Sequence, residues 1–462
     1  MKLFNKINFG ITTISAAVIL MTGSCSKRLD IYPYQSIGSD VALLTESDVN
    51  ATLIGCYDGI QSTSVYGGDL QLFNALTGNK DDINFTGTFA PLNDAYNAAM
   101  SSNNTYAAST WAGVYNAINR CNYVLSALDK VTSSPENRDR VEGEATFLRA
   151  SMLFDLVKLY AKFYGDGDYA SNPGVPIITT PTTEITEANY VSRNSVKEVY
   201  DFVIAELTKA QNLLPEDNSR YATKFTAAAM LSRVYMVLGN YTAAREAANF
   251  VIENSGKSLE TDFEDLWFTE INGGGTTPEE YIFFVKITTQ DGINDMNTFF
   301  GRTISAIPGT SGRSDCKIKD AHRAKYEAGD VRGAFFQLSG GNYYTKKHLD
   351  TYGDVLVIRL AEMYLTRAEA NVRLGESVGA TPKEDVNLIR ERAGLDPLDV
   401  VDLPAVLKER YLEFAFEGQA LSESKRLKQP VSGLAWNSPK LIWPIPQRET
   451  DVNKNLVQNE GY

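Results

Sequence analysis

Side chains able to do acid–base or covalent chemistry are sparse in this 462-residue chain, and those that recur do so at structural spacings. Glu409, Glu413 and Glu417 repeat every four residues in KERYLEFAFEG, which sets them side by side on one helical face, about 5 to 6 Å apart at Cβ. The two acids of a glycosidase must instead flank the sugar bond from different sides. With Lys408, Arg410, Arg390 and Arg392 nearby in the pattern, the spacing predicts a structural ion-pair network. Cys25, Cys56, Cys121 and Cys316 show no CxxC spacing and the histidines are His322 and His348, so neither a Cys/His zinc site nor a His-dependent nucleophile has enough material. Gly256, Lys257 and Ser258 imitate the end of a phosphate-binding loop, but Val251 stands where its first glycine belongs and the preceding element reads as helix. No G-x-S-x-G occurs. Neither a cofactor nor a metal is predicted.

Binding chemistry has more to work with. The axial C–H face of a pyranose packs on an aromatic plane while its hydroxyls bond to Asp, Asn and Arg. Tyr66, Phe85, Tyr96, Tyr106, Phe300 and Tyr343 are candidate planes, with Asp82, Asn103 and Arg302 as candidate polar partners. Taken singly, each aromatic fits a core position as well as a platform. Asp81 and Asp82, in GNKDDINFTG, also suit a plain turn.

These residues need elements to hold them, and the elements read mostly as helices. Trp111, Val114, Tyr115, Ile118, Cys121, Leu125 and Leu128 fall on one helical face. A second helix is predicted over about 142–164, ended by Gly165 to Asp168, and residues 166–194 read as a long ordered loop. Ser195 with Glu198 forms a capping box for a helix that stops before Pro215. Residues 226–238 and 241–254 form a helical hairpin joined at Gly239 and Asn240, in which Ala244 and Ala248 allow the close approach a tetratricopeptide-like unit needs. Residues 363–374 and 383–393 form another such pair. Residues 57–106 and 255–345 read as irregular, apart from a strand-like run at 280–288, and long loops on a rigid frame are where binding concentrates. The predicted fold class is mainly α, a tetratricopeptide-like hairpin scaffold with long irregular segments and minor β structure.

Length allows about three domains or one large one. The formal charge of −13 and the lack of any basic block argue against nucleic acid as a partner. An apolar fraction of 43%, with 24 Tyr and 21 Phe, supplies a large core.

Residues 1–24 carry Lys2 and Lys6, an apolar run from Ile11 to Met21, and Gly23 and Ser24 just before Cys25, the layout of a secretory signal peptide. The run is short of the roughly 20 residues a membrane-spanning helix needs. A cysteine at the cleavage point resembles the lipobox of bacterial lipoproteins, which makes Cys25 the expected lipidation site, although Thr22 stands where Leu is most usual. An ordinary signal peptide with an incidental cysteine is the alternative.

Several blocks then occur in a recognisable order: LDIYP at 29–33, W-x-x-x-Y-x-x-I-x-x-x-N at 111–122, GEATFLRA at 143–150, SVKEVYDFVIAEL at 195–207, and AAAMLSRVYMVLGNYTAA at 227–244. RLAEMYLTRAEA at 359–370, VNLIRERAGL at 386–395, KERYLEFAFEG at 408–418, LIWPIPQRE at 441–449 and QNEGY at 458–462 continue the series. The chain resembles the SusD/RagB family of Bacteroidetes outer-membrane lipoproteins across nearly all of residues 25–462, which are therefore expected to form a single SusD-like domain. The resemblance implies a non-catalytic protein, lipid-anchored on the extracellular side of the outer membrane, that captures oligosaccharide and passes it to a SusC-type TonB-dependent transporter. It also implies ligand residues in the two irregular regions. Two departures stand out: QALSESKR follows Gly418 where the family usually shows Asp-Leu-x-Arg, and Trp267 takes the place of a buried aromatic, so it is not expected to be a sugar platform. A protein-binding assembly lipoprotein, or a peptide- or glycopeptide-binding member of the same family, are the competing readings.

Overall fold

The computed structural model describes residues 43–271 and 277–462. The signal segment, Cys25 and the LDIYP block lie outside the described residues. The elements run α1 (Glu46–Gln61), α2 (Asp69–Gly78), β1 (Ile83–Phe85), α3 (Ala90–Tyr96), α4 (Thr105–Ser126), α5 (Pro135–Tyr160), α6 (Val196–Leu213), α7 (Lys224–Leu238) and α8 (Tyr241–Asn254). After these come β2 (Tyr281–Val285), α9 (Asp295–Phe300), β3 (Cys316–Ile318), β4 (Phe336–Ser339), β5 (Asn342–Thr345) and β6 (Val355–Arg359). The chain closes with α10 (Leu360–Leu374), α11 (Pro382–Arg392), α12 (Leu403–Glu413), α13 (Ala420–Arg426) and α14 (Gln447–Val452). Residues Thr45 to Tyr462 form one compact unit.

Each long helix packs on its chain neighbour, α4 on α5, α5 on α6, α6 on α7 and α7 on α8, and α8 then packs on α10. Local chemistry fixes the joints. Gly239 ends α7 in the left-handed region at φ 70°, and Asn240 caps α8 through Ala243 N. Ala244 and Ala248 are fully buried in that hairpin, where a larger side chain would force the helices apart. Ser195 and Glu198 make the expected reciprocal capping box at α6. The 166–194 segment is ordered because the polar face of α4 grips it: Asn122 Nδ2 donates to Ile178 O at 3.0 Å and the Tyr115 hydroxyl to Pro176 O at 2.9 Å.

Two differences from the sequence expectation have physical causes. Residues 57–106 are not irregular throughout, since they hold the end of α1 together with α2, β1 and α3. Residues Asp69 to Thr77 of α2 are all buried, so the helix carries no polar face and shows no amphipathic period. The second region contributes β2, β3, β4 and β5 to two sheets, one of order β1-β3-β5-β4 with β1 from the first region and one pairing β2 with the later β6. Its strands are three to five residues long, too short to show clear alternation.

A buried ion-pair hub joins these sheets to the helices, as the glutamate spacing predicted. Glu413 is fully buried and meets Arg332 at 3.0 Å, Arg359 at 2.5 Å and Arg392. Glu409 pairs with Arg332 at 2.5 Å and Arg390 at 3.6 Å, and Glu417 with Lys347 at 2.6 Å and Arg359 at 2.9 Å. Glu280 takes Arg359 and Arg392, and Asp330 takes Arg332. Five carboxylates (Glu280, Asp330, Glu409, Glu413, Glu417) thus face five cations (Arg332, Lys347, Arg359, Arg390, Arg392), so the buried hub is charge-balanced; Arg390 also reaches Glu327 at 3.0 Å, whose charge Lys408 offsets. Of the predicted neighbours, Arg390 and Arg392 join it, whereas Lys408 pairs with Glu327 and Arg410 with Glu369 and Glu423.

A surface where two distant segments meet

The two regions expected to carry the ligand converge. Asn84 of β1 lies opposite Lys317 of β3, Thr86 N donates to Asp315 O at 2.8 Å, Lys319 N to Asp82 O at 2.8 Å, and Asp295 N to Gly67 O at 3.0 Å. Residues separated by more than two hundred positions therefore share one surface.

Several predicted site residues are framework instead. Phe300 is 0% exposed and packs against His348 and Phe416, so its ring offers no face to a ligand. Tyr66 is buried and its hydroxyl donates to Asp155. Phe85 is buried beside Tyr96, whose hydroxyl donates to Ile83 O at 3.0 Å. The buried Asp82 accepts from Asn79 Nδ2 at 3.1 Å, Lys325 Nζ at 3.0 Å and the Tyr411 hydroxyl, and lies 3.2 Å from His322 Nδ1. Burial opposes its charge, but His322, Tyr411 and Lys325 hold the carboxyl well below the usual carboxylate range. Burial also lowers His322, so at neutral pH the imidazole acts on Asp82 by hydrogen bonding while Lys325 supplies the positive charge. Asp82 thereby locks the β1 turn onto α12. Phe300, Tyr66, Phe85 and Asp82 are inside, and Tyr96 is half-buried, because segments that read as loops pack as small elements.

The remaining predicted residues lie nearer the surface. Tyr343 is half-buried under the Arg323 guanidinium, 3.1 Å from its ring centroid. Tyr106 is half-buried against Phe73, and Asn103 is exposed in the turn before α4. Burial, followed by Asp295 and Asp69, pushes the Tyr106 phenol up to about 12, which keeps it a donor at any working pH. Burial and the neighbouring Asp295 also raise Asp69 well above the carboxylate range, so this acid pair shares a proton.

Two residues the sequence reading missed complete the surface. Phe89, at the N-cap of α3, keeps 42% of its surface exposed while its ring packs edge-on to Phe299 at 5.8 Å. The Arg313 guanidinium lies 4.9 Å from the Phe89 centroid, and its Nε donates to Asp315 Oδ2 at 2.9 Å. Arg313 is paired directly with the predicted Arg302 in an antiparallel bridge, and Arg302 stacks 5.2 Å from the Tyr344 ring centroid. Glycines precede both arginines: a Cβ on Gly312, at φ +132°, would lie 2.1 Å from Gly301 C, so no side chain fits where the strands cross. Phe89 stands out in TGTFAPLN as an aromatic among Gly, Thr and Pro without helical companions, which is the one signal that pointed to it.

An exposed ring, forked cationic donors, a phenol and an amide can hold a polyhydroxylated ligand by stacking and hydrogen bonds. Residues 27–236 match the family model described as starch-binding associating with outer membrane, and residues 335–438 match the SusD family model. The chain belongs to the SusD/RagB family. It is 26% identical to SusD-like protein P2 of Formosa agariphila over 97% of this chain and 99% of that one. It is 32% identical to the starch-binding protein SusD of Bacteroides thetaiotaomicron, over 24% of this chain and 22% of that one. A protein from Bacteroides vulgatus described as sugar-binding superposes with a TM-score of 0.80 at 26% identity, covering 91% of this chain and 99% of that one. A laminarin-binding SusD-like protein superposes with a TM-score of 0.74 at 22% identity, covering 90% and 100%. Among the described residues, no helix is long and apolar enough to cross a membrane.

Proposed function

We propose that this protein is an outer-membrane lipoprotein, anchored through Cys25 and facing outward, that captures oligosaccharide and hands it to a SusC-type TonB-dependent transporter. The observation that carries this is the meeting of the two segments around the exposed Phe89 and Arg313, with the half-buried Tyr106 close enough to Arg313 to feel its charge, a set with stacking and hydrogen-bonding capacity. Family membership, and the starch and laminarin named for its relatives, support a glycan as the ligand class.

Isothermal titration against a panel of neutral and acidic oligosaccharides, repeated with Phe89→Ala and Arg313→Ala, tests the assignment. Affinity for the best ligand should fall at least tenfold in each variant. Unchanged binding in both would remove this surface from consideration, and co-purification of a barrel partner with no glycan response would favour the assembly-protein reading.

A further inference from the structure

We propose that the Arg302–Arg313 pair selects an acidic oligosaccharide, one bearing uronate carboxylates or sulfate esters, an inference that rests on the glycan-binding reading above. Directly opposed residues of an antiparallel bridge present their side chains on the same face, and like charges in that position repel. The chain accepts this repulsion with only one local counter-charge: Arg313 is paired with Asp315 at 2.9 Å, while Arg302 forms neither an ion pair nor a side-chain hydrogen bond among the described residues, its guanidinium resting on the Tyr344 ring. The pair therefore carries one positive charge in excess of its direct ion-pair partners, on a protein whose formal net charge is −13.

The geometry is built for this. Asn297 Nδ2 donates to His348 O at 2.9 Å and to Leu349 O and Asp350 O at 3.1 Å, and Arg313 N donates to Thr298 O at 2.8 Å. Arg313 is thus held on α9, α9 on the 348–350 segment that follows β5, and Arg302 on Arg313 through their bridge. A guanidinium presents a planar fork that matches the two oxygens of a carboxylate or sulfate. An anion set between Arg302 and Arg313 would turn their repulsion into two attractions while the sugar ring lies toward Phe89.

The test compares oligogalacturonate with its carboxyl-reduced neutral form, and a sulfated galactan oligosaccharide with its desulfated form, by titration calorimetry on the mature protein. The expected result is at least tenfold tighter binding of the acidic member of one pair, a preference that shrinks as salt rises from 50 to 500 mM. Which pair shows it distinguishes carboxylate from sulfate. In Arg302→Gln the acidic-to-neutral ratio should fall toward one, whereas Arg302→Lys should keep part of it. Should the Gln variant fail to fold, the salt series and the Lys variant still decide the matter. Equal binding of acidic and neutral forms, or a ratio untouched in Arg302→Gln, would overturn acidic selection and leave the glycan reading standing. Binding of no oligosaccharide at all would overturn both.

Discussion

Replacing Glu413 by Gln perturbs the most heavily paired group in the molecule. Its carboxylate meets Arg332, Arg359 and Arg392, and it is fully buried. Each arginine keeps another partner: Asp330 and Glu409 for Arg332, Glu280 and Glu417 for Arg359, Glu280 for Arg392. The substitution therefore leaves one net positive charge in an otherwise balanced hub. Removing one member of a buried pair costs about 3–5 kcal/mol, chiefly because the charge left behind is desolvated. A folding unit of this size has an unfolding entropy near 0.9 kcal/mol per kelvin, at roughly 2.1 cal/mol/K per residue, so Tm should drop by about 3 to 6 °C in differential scanning calorimetry at pH 7. The pH dependence carries a sign. Burial works against the Glu413 charge, yet Arg392, Arg359 and Arg332 hold its carboxyl well below the ordinary value of 4.5. A depressed folded-state value contributes stability that is fully present above the unfolded value and is lost as pH falls through the folded one. The gap between wild type and Glu413→Gln should thus be flat from pH 5 to 8 and close only below about pH 4.5. A Tm within 1 °C of wild type at pH 7, or a gap that widens on acidification, would refute the charge-balance argument.

Two further outcomes follow from the placement of single residues. Phe300→Ala should empty a core position and cost about 3–5 kcal/mol, read as a lowered denaturation midpoint, while glycan affinity at temperatures where the variant stays folded changes less than in Phe89→Ala; an affinity loss equal to that of Phe89→Ala would return Phe300 to the site. Cys25→Ala should move the protein from the membrane to a soluble fraction on cell fractionation, since lipid chains supply stable anchoring; unchanged membrane association would count against lipidation at Cys25.

Much of the scaffold was legible because amphipathic helices announce themselves. The α4 face, the α6 capping box and the α7–α8 hairpin all fall where periodicity and caps put them. Helix α2 escaped because it is buried on every side, and β3, β4 and β5 because strands of three or four residues carry no period. Trp267, read as a core aromatic, is buried. The three glutamates could be assigned to an ion-pair network from spacing, but Arg332 and Arg359 could not be named, since nothing local ties positions 332 and 359 to 413. The same reason explains the candidate surface. Arg302 could be chosen for its type, whereas its partner Arg313 becomes visible only once the chain folds back across Gly301 and Gly312.

The neutral hub has a consequence for what the neighbouring chain can tolerate. Glu280, Asp330, Arg332 and Lys347 are contributed by or beside the same long segment that displays Arg302 and Arg313. That segment is therefore moored at several points to the carboxyl-terminal helices, and the stretch between moorings can be rewritten without unseating it. Under the proposed reading, Arg302 and Arg313 could therefore be substituted while the footing beneath them stays unchanged.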